Sequence, residues 1–354
     1  MKGLILSGGT GSRLQPVTYT RAKQLLTIAN KPILFYAIEA MVKADITDIG
    51  MIVGHTKDEM IDTVGDGSRW GVSIHYIHQE TPDGLAHAVK VAQPFLQDDP
   101  FLMYLGDNII RDDLGDFIKT YQQERLNALI VLDQVDNPQE YGVAVFQDRK
   151  IINLVEKPKT YVSNMAIVGV YIFDKNIYSA IEKIKPSWRN ELEITDAIQE
   201  MIRNNHRVGY GKLNRWWKDT GMPSDMLAAN QKLLAESSPV IEGYIDKKSQ
   251  LTGKVTIGKG TTLIGSTIMG PVNIAENCKI KNAYIGPYCS IGENCEIENT
   301  EIENSIIMEN NIIKNIEKRI ANSLIAGTVE IIASKMPRNI HTFILGDRSK
   351  IKIT

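Results

Sequence analysis

A glycine-rich loop directly after the first apolar run carries the strongest chemical signal in the chain. It covers residues 6–16 and has the sequence LSGGTGSRLQP. Glycines let successive backbone N–H groups approach an anion, and the guanidinium of Arg13 matches the oxygens of a phosphate. Lys23 adds a second positive charge shortly afterwards. The loop predicts a phosphate-binding site, and its simpler alternative is a glycine turn with solvated bases beside it.

The spacing of this loop argues against two common glycine motifs. No Gly-Lys-Ser/Thr follows the glycines, as a Walker loop requires. Leu14 stands where the dinucleotide-binding pattern needs its third glycine. A hydride-transferring enzyme of the Rossmann type is therefore disfavoured.

Two isolated aspartates follow segments that are typical of buried strands. Asp107 comes after the apolar run Phe101–Leu105, and Asp219 comes after two tryptophans and a lysine. In a parallel sheet this places Asp107 at the edge where ligands bind. A turn or a helix cap is the ordinary alternative for such an aspartate. No cluster of His and Cys has the spacing of a zinc site.

Short apolar runs alternate with amphipathic segments over residues 1–237. This alternation predicts an α/β domain with a doubly wound, mostly parallel, Rossmann-like sheet and helices on both faces. The predicted strands are 2–6, 49–53, 73–78, 101–105, 128–132 and 167–173, and the predicted helices include 34–44, 85–91, 196–206 and 222–236.

A seventeen-residue repeat begins after a linker near residue 238. The segment IAENC at Ile274 recurs as IGENC at Ile291, and aliphatic residues recur in steps of six, six and five. Three inward aliphatic positions per coil predict a triangular prism of short parallel strands. This pattern resembles the hexapeptide-repeat left-handed β-helix, which we assign to residues 238–354. Cys278 and Cys295 fall in one column, as buried thiols or as a disulfide.

The amino-acid composition limits which partners and which cellular compartment we expect for the chain. The chain of 354 residues has 40 Lys and Arg against 42 Asp and Glu, so a broad basic surface for nucleic acid is not expected. No apolar run has the ~20 residues needed to span a bilayer, and we expect the start of the chain to form a first strand and not a signal peptide. Three cysteines, all late in the chain, favour a reducing, cytoplasmic setting.

Ten short segments, taken together and in order, resemble the sugar-1-phosphate nucleotidyltransferases. They are GGxGxRLxP from Gly8, KQLL from Lys23, NKP from Asn30, QxxPDGLA from Gln79, LGDN from Leu105, YGV from Tyr141, VEKP from Val155, GxY from Gly169, ELEITD from Glu191 and WKDTG from Trp217. The WKDTG form and the β-helical tail are most similar to the long branch of that family, which transfers thymidylyl groups to glucose-1-phosphate.

The resemblance implies a reaction and its machinery. An oxygen of a sugar-1-phosphate attacks the α-phosphorus of a nucleoside triphosphate, and pyrophosphate leaves. A Mg²⁺ ion shared by Asp107 and Asp219 is implied, which suits an ion that takes one or two carboxylates together with phosphate oxygens and water. The implied catalytic residues are Arg13, Lys23, Asp107, Lys157 and Asp219.

The resemblance also implies two substrate sites. The base site suits a pyrimidine, because the amide of Gln79 can pair with one, and dTTP is preferred over UTP. The nucleotide residues are Leu6, Gly8, Gly9, Thr10, Gly11, Arg13, Gln24, Gln79, Pro82, Gly84 and Asp107. The residues for glucose-1-phosphate are Tyr141, Gly142, Glu156, Lys157, Gly169, Tyr171, Arg189 and Trp217.

Three alternatives remain open at this point. The first is a uridylyltransferase acting on glucose-1-phosphate or N-acetylglucosamine-1-phosphate. The second is a bifunctional enzyme with acyltransferase activity in the β-helix, although the tail has about four regular coils and one histidine, His341. The third, a non-enzymatic subunit, is disfavoured because all five implied catalytic residues are present. Open prism ends and flat faces favour a homo-oligomer.

Overall fold

The computed structural model describes residues 1–9 and 11–333, and its contacts divide the chain into two compact units. The first unit comprises residues 1–9, Ala22–Leu25 and Ile33–Asp219, and the second comprises Gly11–Arg21, Leu26–Pro32 and the described residues from Thr220 onward. Two short N-terminal segments therefore group with the C-terminal part of the chain. The domain boundary at residue 237 stays a prediction.

A nine-stranded sheet forms the centre of the first unit. Its strands are β1 (Lys2–Leu6), β2 (Asp48–Val53), β3 (Ser73–His78), β4 (Phe101–Leu105), β5 (Ala128–Gln134), β6 (Gly142–Gln147), β7 (Lys150–Glu156), β8 (Met165–Phe173) and β9 (Val208–Lys212). The main path runs β7-β6-β8-β4-β1-β2-β3, and β5 pairs with both β8 and β9. All six strands that the sequence predicts are present.

The sheet changes direction at β8. The pairs β1–β2, β1–β4, β2–β3 and β5–β9 are parallel. Strand β8 is antiparallel to β4, β5 and β6, and β6 is antiparallel to β7. The doubly wound α/β class is confirmed. The expected sheet was mostly parallel, and the strands around β8 differ from it because they are antiparallel.

Helices cover both faces of the sheet. They are α1 (Ile33–Lys43), α2 (Lys57–Val64), α3 (Leu85–Leu96), α4 (Leu114–Gln123), α5 (Asn176–Ile181) and α6 (Ile194–Arg203). Alternate side chains of β1 point to opposite faces: Leu4 and Leu6 pack in one core with α3, α5 and α6, and Ile5 packs in the other with α1, α2 and α4. Within the described part of the chain, no helix is long and apolar enough to cross a bilayer.

The second unit contains the helix α7 (Pro223–Glu236) and a prism of three parallel sheets. The sheets have six, five and five short strands, which is more than the four coils expected. The predicted columns are confirmed, because Leu251 pairs with Ile268, Ile257 with Ile274 and Leu263 with Ile280. Their aliphatic side chains fill the interior. This arrangement is consistent with the predicted left-handed β-helix.

The corners of the prism are built by asparagines in the left-handed conformation. Asn282, Asn299 and Asn315 occupy one corner with φ values of 47°, 50° and 62°. Their side chains form a ladder, with Asn282 Nδ2 donating to Asn299 at 3.3 Å and Asn299 Nδ2 donating to Asn315 at 2.7 Å. Asparagine tolerates this backbone region better than other residues with a side chain, so it suits each repeated sharp corner.

The cysteines are buried and carry free thiols. Cys278 Sγ donates to the Gly292 carbonyl at 3.0 Å, and Cys295 Sγ donates to the Met308 carbonyl at 3.1 Å. They act as small interior residues of the prism, and the disulfide alternative is not adopted.

Polar contacts hold the N-terminal segments of the second unit against its coils. Asn30 Nδ2 donates to the carbonyls of Asn273 and Ile291 at 3.1 and 2.9 Å. Arg21 forms an ion pair of 2.6 Å with Glu309. Asn230 of α7 accepts from the Ala29 backbone N–H at 2.9 Å. These contacts explain why residues distant in sequence group in one unit.

Glu296 offers a test of the ion pairs on the prism surface. Its carboxylate binds Lys314 at 2.8 Å and Lys279 at 2.9 Å, and these hydrogen bonds lower the pKa of Glu296 to about 2. The ionised form is therefore favoured in the folded state, and this stability is lost as pH falls below the ordinary glutamate range towards about 2. We expect Glu296→Gln to lower stability at neutral pH by no more than about 1 kcal/mol, since the pair is partly exposed.

Thermal melts over a pH series check this expectation, with Glu298→Gln as the matched control. Glu298 lies on the same strand and pairs with Lys281 at 2.9 Å. The loss of Tm caused by Glu296→Gln should be larger than that caused by the control at neutral pH, and it should become smaller in acid. A deficit that does not change with pH would contradict the role of its charge.

Candidate active site

The carboxyl ends of β1, β2 and β4 surround a cavity of about 350 Å³ in the first unit. Its lining consists of Leu6, Gly8, Gly9, Gln24, Ile52, Gln79, Pro82, Gly84, Leu85, Ala88, Leu105, Asp107 and Glu191. Most residues of the predicted nucleotide site therefore meet here. Of the others, Thr10 lies outside the described residues, and Gly11 and the exposed Arg13 belong to the second unit.

The turn before α3 closes one wall of the cavity through backbone contacts. The Leu192 N–H donates to the Asp83 carbonyl at 2.7 Å, and the Ala86 N–H donates to the Leu192 carbonyl at 3.1 Å. Gly84 lies between them with φ of 110°, and a Cβ there would meet the Leu192 backbone N at 2.7 Å. Both its conformation and this approach require a glycine, which accounts for the turn sequence.

A lysine and two aspartates meet at the edge of the cavity. Lys23 begins a short helical turn, Asp107 follows β4, and Asp219 ends the segment Trp217–Asp219. That segment pairs with Asn108–Ile110, which places Asp219 opposite Asn108. Lys23 Nζ lies 2.6 Å from Asp107 Oδ2 and 3.8 Å from Asp219 Oδ1. The three charged groups that the sequence separates by nearly two hundred residues are thus neighbours.

Lys23 stabilises the ionised form of Asp107. Burial alone would raise the pKa of Asp107, but the Lys23 ammonium and the hydrogen bonds from Lys23 and Asn108 outweigh it and hold that pKa below its ordinary value. Asn108 Nδ2 donates to Asp107 Oδ1 at 2.9 Å. Asp107 is therefore a carboxylate at neutral pH, which is the form that binds cations.

The two aspartates fit a divalent cation that also binds substrate. Asp107 and Asp219 both lie within 4 Å of the Lys23 ammonium, so the two carboxylates are close enough to share one cation. Among residues 1–9 and 11–333, no group of three or more His, Cys, Asp or Glu could hold a metal by itself. A pair of carboxylates suits Mg²⁺, which keeps water and phosphate oxygens as further ligands.

A second group of charged residues surrounds Arg189. Its guanidinium lies 2.9 Å from Glu191, 3.4 Å from Glu156 and 3.5 Å from Glu193. Thr195 Oγ1 donates to Glu156 Oε2 at 3.3 Å. Burial, and then the negative charge of Glu193, raise the pKa of Glu156 above its ordinary value, and Lys157 and Arg189 offset this only in part.

Two more residues predicted for the sugar site, Tyr141 and Gly142, lie beside Lys157 and Glu156, and Trp217 contacts one of them. Gly142 is so close to Glu156 that a Cβ would lie 2.9 Å from Glu156 Oε2. The Lys157 N–H donates to the Tyr141 carbonyl at 3.0 Å, and the Tyr141 and Trp217 rings meet edge-on at 5.5 Å.

Gly169 and Tyr171 lie on β8, where both pack against other residues of the first unit. Gly169 has φ of 76° and packs against Leu105, at the point where the register between β8 and β5 shifts. Tyr171 is 3% exposed and stacks on Phe173 in the core. Its side chain is buried, so a direct contact between Tyr171 and a sugar stays a prediction that this burial does not favour.

Sequence reasoning missed several residues of these groups. Glu191 lines the cavity, Glu193 pairs with Arg189, and Asn108 orients Asp107. Each lies in a segment that carries the family resemblance, so their presence in ELEITD and LGDN was the available signal. His87, in the first turn of α3, also contacts Gln79 at 3.0 Å.

Comparison with known proteins agrees with this geometry. Residues 2–236 match the Nucleotidyl transferase family. A glucose-1-phosphate thymidylyltransferase of Streptomyces antibioticus is 45% identical over 100% of this chain and 99% of the relative. The low-salt glycan biosynthesis nucleotidyltransferase of Haloferax volcanii is 41% identical over 100% of both.

A solved structure is similar as well. A Bacillus anthracis protein assigned as a glucose-1-phosphate thymidylyltransferase superposes with a TM-score of 0.63 at 36% identity, over 67% of this chain and 96% of that one. The family match covers the glycine loop, both aspartates and the sheet that positions them. The chain therefore belongs to the nucleotidyl transferase family.

Proposed function

We propose that the chain catalyses the reaction of glucose-1-phosphate with dTTP to form dTDP-glucose and pyrophosphate. The observation that carries this proposal is the meeting of Lys23, Asp107 and Asp219 at the edge of the cavity. The full-length relative from Streptomyces antibioticus, a glucose-1-phosphate thymidylyltransferase, supports the choice of substrates.

The reaction joins two strongly anionic molecules. A phosphate oxygen of the sugar attacks the α-phosphorus, the bond to the β-phosphate oxygen breaks, and pyrophosphate leaves with the electron pair. No covalent intermediate on the protein is needed. The task of the protein is to neutralise charge and to hold the attacking and leaving oxygens in line.

Asp107 and Asp219 hold a Mg²⁺ ion in this proposal. When bound, the ion neutralises phosphate charge and polarises the α-phosphoryl group. Lys23 keeps Asp107 ionised and adds a positive charge at the same edge. Arg13 and Lys157 complete the set of catalytic cations.

The cavity holds the nucleotide. The amide of Gln79 and the turn at Pro82 and Gly84 contact the base, and the glycines of the loop leave room for phosphates. The full nucleotide set is Leu6, Gly8, Gly9, Thr10, Gly11, Arg13, Gln24, Gln79, Pro82, Gly84 and Asp107.

The group around Arg189 holds the sugar phosphate. Glu156 accepts hydrogen bonds from sugar hydroxyls, while Arg189 and Lys157 attract the phosphate. Tyr141, Gly142, Gly169, Tyr171 and Trp217 complete the predicted sugar-phosphate set.

The protein is further proposed to be a cytoplasmic homo-oligomer. Its three free thiols suit a reducing compartment, and the open faces of a parallel prism suit self-association. The acyltransferase alternative is the weaker proposal, since the tail contains one histidine, His341, which lies outside the described residues.

The first measurement is pyrophosphate release with glucose-1-phosphate and Mg²⁺, with dTTP and UTP compared in one titration. We expect dTTP to be used with the higher kcat/KM. Turnover of UTP alone would change the base assignment. Turnover of neither, followed by activity with N-acetylglucosamine-1-phosphate, would change the sugar assignment.

Asp107→Asn removes one charge and keeps the side-chain size. We expect turnover to fall at least about a thousandfold, the scale of removing a preorganised charge from a transition state. A cooperative thermal melt should persist. Asp116→Asn, on the exposed face of α4, is the control and should keep full activity. Retained activity in Asp107→Asn would remove Asp107 from the metal site.

Glu156→Gln separates binding from stability. The folded protein binds the Glu156 proton more tightly than the unfolded chain does, so ionisation costs stability as pH rises through the raised pKa. We expect the variant to have a higher Tm at neutral pH, with no gain near about pH 4. The KM for glucose-1-phosphate should rise about 10- to 100-fold, because a charged acceptor is lost. A lower Tm at neutral pH would mean that the ion pair with Arg189 outweighs burial.

A further inference from the structure

The side-chain amide of Gln79 lies between His87 on one side and Gly8 on the other. Its Nε2 donates to Nδ1 of His87 at 3.0 Å. Its Oε1 lies on the other side, next to Gly8, where a Cβ would be 3.3 Å from that oxygen. Gln79 is 7% exposed, and both Gln79 and Gly8 line the cavity.

An amide of this kind has two orientations with nearly the same shape and opposite hydrogen-bonding character. Size and burial therefore cannot choose between them, and a neighbouring polar atom must do so. His87, the third residue of α3, supplies that atom in the tautomer that carries its proton on Nε2, in which Nδ1 accepts from Gln79 Nε2. Asp83 Oδ2 is 4.0 Å from the same nitrogen, too far for a hydrogen bond.

The orientation decides which bases the cavity accepts. Thymine and uracil have an N–H donor at ring position N3, and cytosine has an acceptor there. An Oε1 that faces the cavity accepts from the N3–H of thymine or uracil. A reversed amide would present its NH₂ group, which suits the N3 of cytosine and leaves the imide N–H unpaired.

We propose that His87 is a positioning residue that fixes the Gln79 amide with its oxygen towards the base, so that the cavity selects imide pyrimidines over cytosine. This inference rests on the proposed function, in which Gln79 contacts the base. His87 itself does not line the cavity, so it acts through Gln79.

His87→Leu removes the acceptor nitrogen and puts an apolar side chain of similar size in its place. We expect KM for dTTP to rise about tenfold with kcat nearly unchanged, since one hydrogen bond that orients the base contact is lost. We also expect the ratio of kcat/KM for dTTP to that for dCTP to fall about tenfold or more. A purely structural role for His87 would weaken both nucleotides alike and leave this ratio unchanged.

Two further variants sharpen the test. His87→Gln offers an amide oxygen that can accept from Gln79 Nε2, so it should keep the wild-type ratio. His75→Leu is the matched control, because His75 lies on β3, pairs with Asp48 at 3.0 Å and belongs to neither substrate site. If His87→Leu does not fold, His87→Ala removes the same acceptor and takes its place.

Calorimetric titration of dTTP and dCTP against each variant separates this inference from the proposed function. Wild-type turnover of dTTP with an unchanged ratio in His87→Leu would overturn the inference alone. Absence of turnover in the wild type would overturn the proposed function, and the ratio of Kd values would then decide the inference. Equal wild-type affinity for dTTP and dCTP would overturn the inference in either case.

Discussion

One ammonium group lies between two carboxylates at the open edge of the central sheet. The side chain of Lys23 is only 7% exposed, and a charge so far from water is stable only when opposite charges compensate it. Asp107 at the end of β4 and Asp219 on a distant segment must therefore meet at this point. The parallel strands β1, β2 and β4 provide the frame that brings these segments to one edge.

The charged clusters around Lys23 and around Arg189 in the first unit are built in the same way, with a cation surrounded by carboxylates. Lys23 forms ion pairs with aspartates and Arg189 forms ion pairs with glutamates, so these two cations already have carboxylate partners. A phosphate must compete with those carboxylates. The pKa of Glu156 is raised and the pKa of Asp107 is lowered, so the two carboxyl groups differ in how readily they ionise. In the proposed function these opposite shifts belong to the acid assigned to the sugar and to the acid assigned to the metal ion.

Sequence reasoning was strongest where a period repeats or an apolar run is long. The strands that end at Leu6 and Leu105 and the stacked isoleucines of the prism follow directly from such patterns. It was weaker where the outcome depends on pairing between distant segments. The antiparallel half around β8 and the burial of Tyr171 both depend on which strands become neighbours, and no local pattern encodes that choice.

The number of residues per coil varies along the prism, yet the inward-facing aliphatic residues of successive coils stay stacked. The inward residues Ile285 and Ile291 are six positions apart, whereas the matching residues of the next coil, Ile302 and Ile307, are five apart. Ile302 then pairs with Ile320, so the coil between these two residues is longer than the one before it. The differences fall in the corners, while each face keeps its inward isoleucine. Insertions and deletions of single residues should therefore accumulate at corners during evolution, since one within a face would turn its side chains inside out. Relatives of this chain are expected to differ in coil length there, and sequence alignments that penalise such gaps uniformly would misplace the columns.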